Sequence, residues 1–277
     1  MEPLTNWNKL WETLSENQSR AFAAKKQSQD DDFWKHKAKA FDKMVDQRWA
    51  KPDSSRDFLI KKLKDNPGST LLDIGAGTGK WSVLVSPFAS RVTALEPSPA
   101  MQAVLKEKIR EQGVGNIDIV TGKWPEDDVE RHDFILASHS MYGVTDFEAF
   151  VRKMCETADK ACLLLLRVPF ADSVMATAAS RILGQPYDSP NFQIAYNILL
   201  GMDIFADVIM EADGSWPPWA NDSFEEALDE IKNRLGLSEK SRHDAFLKDL
   251  LKANLNIKKG KYVWPAGNRA ALVYWEV

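Results

Sequence analysis

Apolar residues recur at helical spacing up to about residue 66 and in short unbroken runs after it. Trp7, Leu10, Trp11 and Leu14 share one face of a helix. A polar break at Gln27 to Asp32 follows. Phe33-Trp34-Lys35-His36 then leads into a second helical face of Ala38, Phe41, Met44 and Val45, which Pro52 stops. Asp53 or Ser54 suits the cap of a third helix through Phe58, Leu59, Ile60 and Leu63, and Asn66-Pro67-Gly68 turns the chain. From there the runs at Thr70–Ile74, Arg91–Leu95, Ile117–Val120, 133–137 and 161–168 predict strands. Helical patterns separate them at 81–88, Pro99–Gln112 and Phe147–Thr157. Strands apolar on both faces that alternate with helices predict a parallel sheet covered on both sides.

After Pro169 the alternation loosens. Residues 172–183 and 191–200 suggest helices, 206–210 a strand, and 213–219 a turn rich in Trp and Pro. Two further helices, 224–235 and 245–255, precede a C-terminal hairpin in which 261–264 and 270–277 flank Pro265-Ala266-Gly267-Asn268. There is no internal repeat.

The chain has 277 residues, 44% hydrophobic and 27% charged, the make-up of an ordinary soluble protein. Its net charge of -4 offers no basic field for nucleic acid or an anionic membrane, so a small acceptor or ligand fits better. No apolar run reaches the roughly 18–20 residues that span a bilayer. The N-terminus lacks the basic start and apolar core of a signal peptide. Cys155 and Cys162 lie in or beside apolar stretches and read as buried free thiols, so the cytoplasm is the expected compartment. His36, His132, His139 and His243 show no paired ligand spacing, and no metal is expected.

The chemistry concentrates in Leu71-Leu72-Asp73-Ile74-Gly75-Ala76-Gly77-Thr78-Gly79. A carboxylate ends a buried strand, and three glycines at alternate positions let a ligand approach the backbone. The amides of the following helix would face that ligand. Glu96 ends the next strand, where a parallel sheet sets it beside the loop and an acid can accept both ribose hydroxyls of an adenosine. A phosphate-binding P-loop fails here, because Ile74 stands at its first glycine and Trp81 at its Ser/Thr. A dinucleotide loop fits Gly75 and Gly77 but meets Lys80 at its third glycine.

The string Asp73-Ile74-Gly75-Ala76-Gly77-Thr78-Gly79 resembles the first motif of the class I S-adenosylmethionine-dependent methyltransferases, and Ala94-Leu95-Glu96-Pro97-Ser98 with Met101 resembles their second-strand segment. The resemblance covers roughly residues 33–168 and the chain's C-terminal strands. It implies a doubly wound α/β fold with a mostly parallel seven-stranded sheet, a C-terminal antiparallel hairpin and a helical lid insertion. The expected division is a helical cap at 1–66, a Rossmann-like core at 67–170, the lid at 171–255 and the hairpin at 256–277. By the same resemblance S-adenosylmethionine is the methyl donor and S-adenosylhomocysteine the product. Glu96 would bind the ribose, the loop through Gly75, Ala76, Gly77 and Gly79 would approach the methionine end, and Asp73 would orient the loop or the amino group. Pro97 and Met101 join this set. Lys123 stands where the family often carries an acid for the adenine amino group, so the Lys123 backbone and the Trp124 ring become the adenine candidates.

Ligands of open α/β sheets lie beyond the carboxyl ends of the strands, which singles out Ser138, His139 and Tyr142. His139 is the candidate for positioning the acceptor or taking its proton, with Tyr142 and Ser138 as hydrogen-bond donors. A structural histidine at a strand end is the alternative. Trp34 and Phe41, on a segment similar to the family's aromatic cap helix, are expected on the substrate side, and Trp216 and Trp219 in the lid. The expected activity is in-line methyl transfer to a small molecule. A cofactor-binding protein without turnover and a nicotinamide-dependent oxidoreductase remain as alternatives.

Overall fold

In the computed structural model, residues 5–23, 32–185, 187–211, 219–265 and 268–277 are described. Three helices lead, α1 (Trp7–Ala23), α2 (Ala38–Trp49) and α3 (Ser54–Asp65). Asp53 caps α3 by accepting from the Ser55 and Arg56 amides. Next come β1 (Thr70–Ile74), α4 (Lys80–Val85), β2 (Arg91–Leu95), α5 (Pro99–Gln112), β3 (Ile117–Val120), β4 (His132–Ser138), α6 (Phe147–Thr157) and β5 (Ala158–Pro169). The remainder is α7 (Val174–Leu183), α8 (Phe192–Gly201), β6 (Asp207–Met210), β7 (Ala220–Asn221), α9 (Phe224–Arg234), α10 (Asp244–Asn254), β8 (Asn256–Lys258), β9 (Lys261–Val263) and β10 (Asn268–Glu276).

The main sheet has seven strands in the order β3-β2-β1-β4-β5-β10-β6. The first five are parallel, and β10 runs antiparallel between β5 and β6. Period-two alternation explains the unbroken apolar runs. Leu72, Ile135, Leu164 and Val273 meet α1, α6 and α8 on one face, while Leu71, Phe134, Leu163 and Leu272 meet α3 and α4 on the other. On the first face Trp11 is fully buried, stacks on Phe147 at 4.1 Å and donates through Nε1 to the Val144 carbonyl.

The expected pairing of 261–264 with 270–277 does not form. β9 pairs instead with β8 and β7 in a separate three-stranded sheet. The reason is local. Lys259 (φ 50°) and Gly260 (φ 76°) make a two-residue turn with both φ positive, the geometry that closes a tight hairpin between β8 and β9. β10, apolar from Ala270 to Trp275, needs cover on both faces and gains it between β5 and β6. The antiparallel end of the main sheet is therefore β10 with β5 and β6. β7 and β8 were not legible beforehand. Helices α7, α9 and α10 share a small core with Trp264. Trp219 is half exposed, and Trp216, like residues 27–31, lies outside the described residues. Among the described residues no helix is long and apolar enough to cross a membrane.

Candidate active site

The strand ends of β2, β1 and β4 are neighbours in the sheet, and a cavity of about 510 Å³ opens beyond them, an ordinary size for a ligand pocket. It is lined by Asp73 and the loop Gly75 to Thr78 after β1, by Glu96 and Pro97 after β2, and by Ser138 and His139 at the end of β4. Trp34, Phe41, Arg48 and Trp49 close it from α2 and the turn before it.

The loop's geometry is set by its glycines. A Cβ on Gly75 (φ 67°) would fall within 3.0 Å of the Ser140 Cβ, whose hydroxyl donates to the Ile74 carbonyl at 2.7 Å. Gly77 (φ 58°) is different: a Cβ there meets nothing nearer than 4.0 Å, so its side opens to the cavity. The amides are less free than expected. Those of Gly75 and Ala76 donate to the Leu95 carbonyl (2.8 and 3.1 Å), that of Gly77 to Glu96 Oε2 (2.8 Å), and that of Gly79 to the Ala76 carbonyl (2.9 Å). Parallel pairing of β1 with β2 brings the Leu95 carbonyl under the loop and occupies these donors. What the loop presents is bare backbone surface.

The two acids are buried and held. The Ser82 hydroxyl donates to Asp73 Oδ2 at 2.6 Å, and burial pushes the Asp73 carboxyl up to about 6. Glu96 accepts from the Gly77 and Ser98 amides, both at 2.8 Å, and burial raises it as well. Over them Trp34 and Phe41, 5.0 Å apart, pack with Ala38 against Met101. They stand at the β2–α5 side of the cavity because α2 lies along α5. Asp42 ties α2 to the loop, accepting from the Thr78 hydroxyl (2.6 Å) and pairing with Lys108, and Asp46 pairs with Lys80.

Lys123 and Trp124 both line the cavity, but each is engaged. The Lys123 amide donates to Asp127 Oδ2 at 2.8 Å, so it is not a spare donor for an adenine edge. Trp124 is buried in the core against Phe150, donating to that residue's carbonyl at 3.2 Å. Ser138 accepts from Trp81 Nε1 at 3.0 Å, and Trp81 meets Trp49 edge-on at 5.3 Å.

His139 is half-buried at φ 57°, a left-handed conformation uncommon outside glycine and held here by its amide's bond to the Leu165 carbonyl. Its Nδ1 lies 2.9 Å from the Tyr142 hydroxyl. That hydroxyl also accepts from the Arg167 amide at 2.7 Å, which ties His139 through Tyr142 to β5. Burial, then Arg48 and Arg167, hold His139 well below its ordinary 6.5. Burial raises Tyr142.

The sequence reading missed Arg48 and Arg167. Arg48 follows Phe41 and Val45 at positions i, i+4 and i+7, so it lies on the helix face that lines the cavity. Arg167 ends an unbroken apolar run, and its guanidinium sits 3.9 Å over the Tyr142 ring. No group of three or more metal-ligating side chains occurs among the described residues. None of the described residues of the 171–255 insertion lines the cavity.

A methyltransferase-domain family model matches residues 33–196, more than half of the chain. The chain belongs to that family and is a class I S-adenosylmethionine-dependent methyltransferase. An uncharacterized protein of Haemophilus influenzae is 27% identical over 243 residues, 85% of this chain and 86% of that one. A stretch of 75 residues is 39% identical to the cobalt-precorrin-6B C(15)-methyltransferase (decarboxylating) of Salmonella typhimurium; it covers 26% of this chain and 39% of that enzyme. The crystal structure of the YcgJ protein from Bacillus subtilis shares the fold, with a TM-score of 0.51 at 14% identity over 80% of this chain and 97% of that one.

Proposed function

We propose that the protein transfers a methyl group by in-line displacement to a small-molecule acceptor bound between α2 and the end of β4. The observation that carries this is the single cavity wall shared by the open backbone at Gly77, the buried Glu96 and the strained His139. The residues fit the cofactor: a bare glycine surface, an acid at the end of β2 for the ribose hydroxyls, and an apolar wall of Trp34, Phe41, Pro97 and Met101 for the base. Asp73 is assigned to the amino group, and Gly75, Ala76 and Gly79 to the shape of the loop. Bound S-adenosylmethionine supplies an already activated methyl group, so the chain's work is positioning and exclusion of water.

His139, held at Nδ1 by the Tyr142 hydroxyl, positions the acceptor or takes its proton at the end of β4. Closure of the cavity rests on α2, with the 171–255 insertion supporting the region behind it through Glu211, which accepts from the Ser54 and Ser55 hydroxyls at 2.7 and 2.9 Å. The net charge of -4 favours a small acceptor in the cytoplasm over nucleic acid.

Calorimetry with S-adenosylmethionine, S-adenosylhomocysteine and NAD tests the reading. Binding of both sulfur ligands and not NAD is expected, lost in Glu96→Ala. Binding of NAD alone would overturn it. In the same enzyme His139→Ala should cut turnover more than cofactor affinity.

A further inference from the structure

Cys155 and Cys162 do not line the cavity, yet the fold brings them together. Cys162 is fully buried on β5, and its partner in the antiparallel register is Trp275 of β10. Residues directly opposite on paired strands point to the same face, and here that is the face on which α6 lies. Cys155 stands in the last turn of α6, half-exposed, and packs against that face. Its Sγ accepts from Trp275 Nε1 at 3.4 Å. This bond holds the Cys155 sulfur over the strand pair that carries Cys162, and the Cys162 thiol gives it a second hydrogen bond.

Two donors on one sulfur favour its charged form. The Cys162 thiol first, and then the Trp275 indole, bring the Cys155 thiol down to about 6, while burial opposes them. Of the charged side chains near it, Glu156 opposes the thiolate and Arg152 favours it, both on α6 itself. Cys162 is the opposite case: burial, and the Cys155 sulfur beside it, keep it a protonated thiol. A pair with only a packing role would leave both thiols enclosed and protonated. Here a half-exposed thiolate lies against a buried thiol, the arrangement of a reactive cysteine and its resolving partner.

We infer that Cys155 and Cys162 form a redox site in which peroxide oxidises Cys155 and Cys162 closes the product to a disulfide between α6 and β5. In the first step the Cys155 thiolate attacks a peroxide oxygen. The S–O bond forms, the O–O bond breaks and hydroxide leaves. In the second the Cys162 sulfur attacks the Cys155 sulfur, the S–S bond forms and the S–O bond breaks. The Cys162 proton leaves with that oxygen as water. One electron pair passes from sulfur to peroxide oxygen, and a dithiol returns it by exchange. The site stands independently of the methyltransferase reading.

The test begins with iodoacetamide on the native protein, with the modified peptides identified by mass. Cys155 should be alkylated with a pH midpoint near 6 and Cys162 left intact. A midpoint at about 8.5, that of an ordinary thiol, overturns the inference. In Cys162→Ala, which loses one donor, the midpoint should move up toward about 8.5. One equivalent of hydrogen peroxide at neutral pH should then remove both thiols from Ellman titration, and dithiothreitol should restore them. In Cys162→Ala the same treatment should leave a sulfenic acid that dimedone traps. Two thiols surviving in the wild type, or a disulfide that joins two chains on a non-reducing gel, overturns the inference. Should Cys162→Ala prove unfolded by melting temperature, Trp275→Phe carries the alkylation comparison, and the wild-type measurements need no variant.

Discussion

Two of the loop glycines are required for different reasons, and alanine at each should separate ligand binding from folding. At Gly77 a methyl group has space, its nearest neighbour being 4.0 Å away, but the backbone stays at φ 58°. A non-glycine residue there costs about 1–2 kcal/mol. For a chain of this size each kcal/mol lowers Tm by roughly 2–4 °C, so Gly77→Ala should melt about 2–8 °C below the wild type. The new methyl projects into the cavity, and S-adenosylhomocysteine affinity should fall at least tenfold, which is about 1.4 kcal/mol. Gly75→Ala meets the same backbone cost at φ 67° and also forces Ser140 away from the Ile74 carbonyl. Overpacking adds about 1–3 kcal/mol, so a total of roughly 2–5 kcal/mol is expected. Differential scanning fluorimetry and calorimetry read the two effects separately. A Gly77→Ala protein that melts as expected but binds S-adenosylhomocysteine within twofold of the wild type would refute the assignment of this loop to the cofactor. Equal melting temperatures for the two variants would refute the packing argument at Ser140.

The carboxyl of Asp73 stays protonated in the fold up to about pH 6, against 3.8 when unfolded, so stability falls as pH rises through that window. At pH 7 the cost is about 3 kcal/mol; Asp73→Asn should raise Tm at pH 7 and lose that advantage below pH 4, and an advantage independent of pH would refute the cause. For His139 the direction is opposite: the unfolded ring takes up a proton as pH falls through 6.5 while the desolvated ring of the fold does not, so its contribution is present above 6.5 and lost on acidification. Its imidazole proton resonances should not titrate between pH 6 and 8, and a midpoint near 6.5 would contradict the burial argument. Trp11→Ala removes a fully buried ring that joins α1 to α6 and should destabilise by about 3–5 kcal/mol in chemical denaturation with cofactor affinity unchanged; a cost under about 1 kcal/mol would mean that α1 docks without it.

What could be read from the sequence follows from how local each requirement is. The glycine loop was legible because its backbone demands residue types over five consecutive positions, and Glu96 because parallel pairing fixes where β2 ends relative to β1. Strands β1, β4 and β5 were legible because burial on both faces leaves few polar positions in the middle of each run. The partner of β10 was not, since β9 and β10 are both apolar and the choice turns on Lys259-Gly260 closing a competing hairpin. Arg48 and Arg167 are remote in sequence, and each alone resembles a surface arginine. Only their convergence on His139 distinguishes them. The spacing Phe41, Val45, Arg48 was nonetheless a usable sign of a cation on a buried face.

The site is electrostatically polarised along the carboxyl edge of the sheet. Asp73 and Glu96 lie at the ends of β1 and β2, while Arg48 and Arg167 flank the ends of β4 and β5. A sulfonium cation would meet the acidic end. Because Asp73 and Glu96 are buried, salt screens them poorly. S-adenosylmethionine should therefore bind more tightly than S-adenosylhomocysteine, which lacks the sulfonium charge, and the preference should change little between about 50 and 300 mM salt. Equal affinities for the two in calorimetry would mean that these carboxyls serve the fold and not the donor.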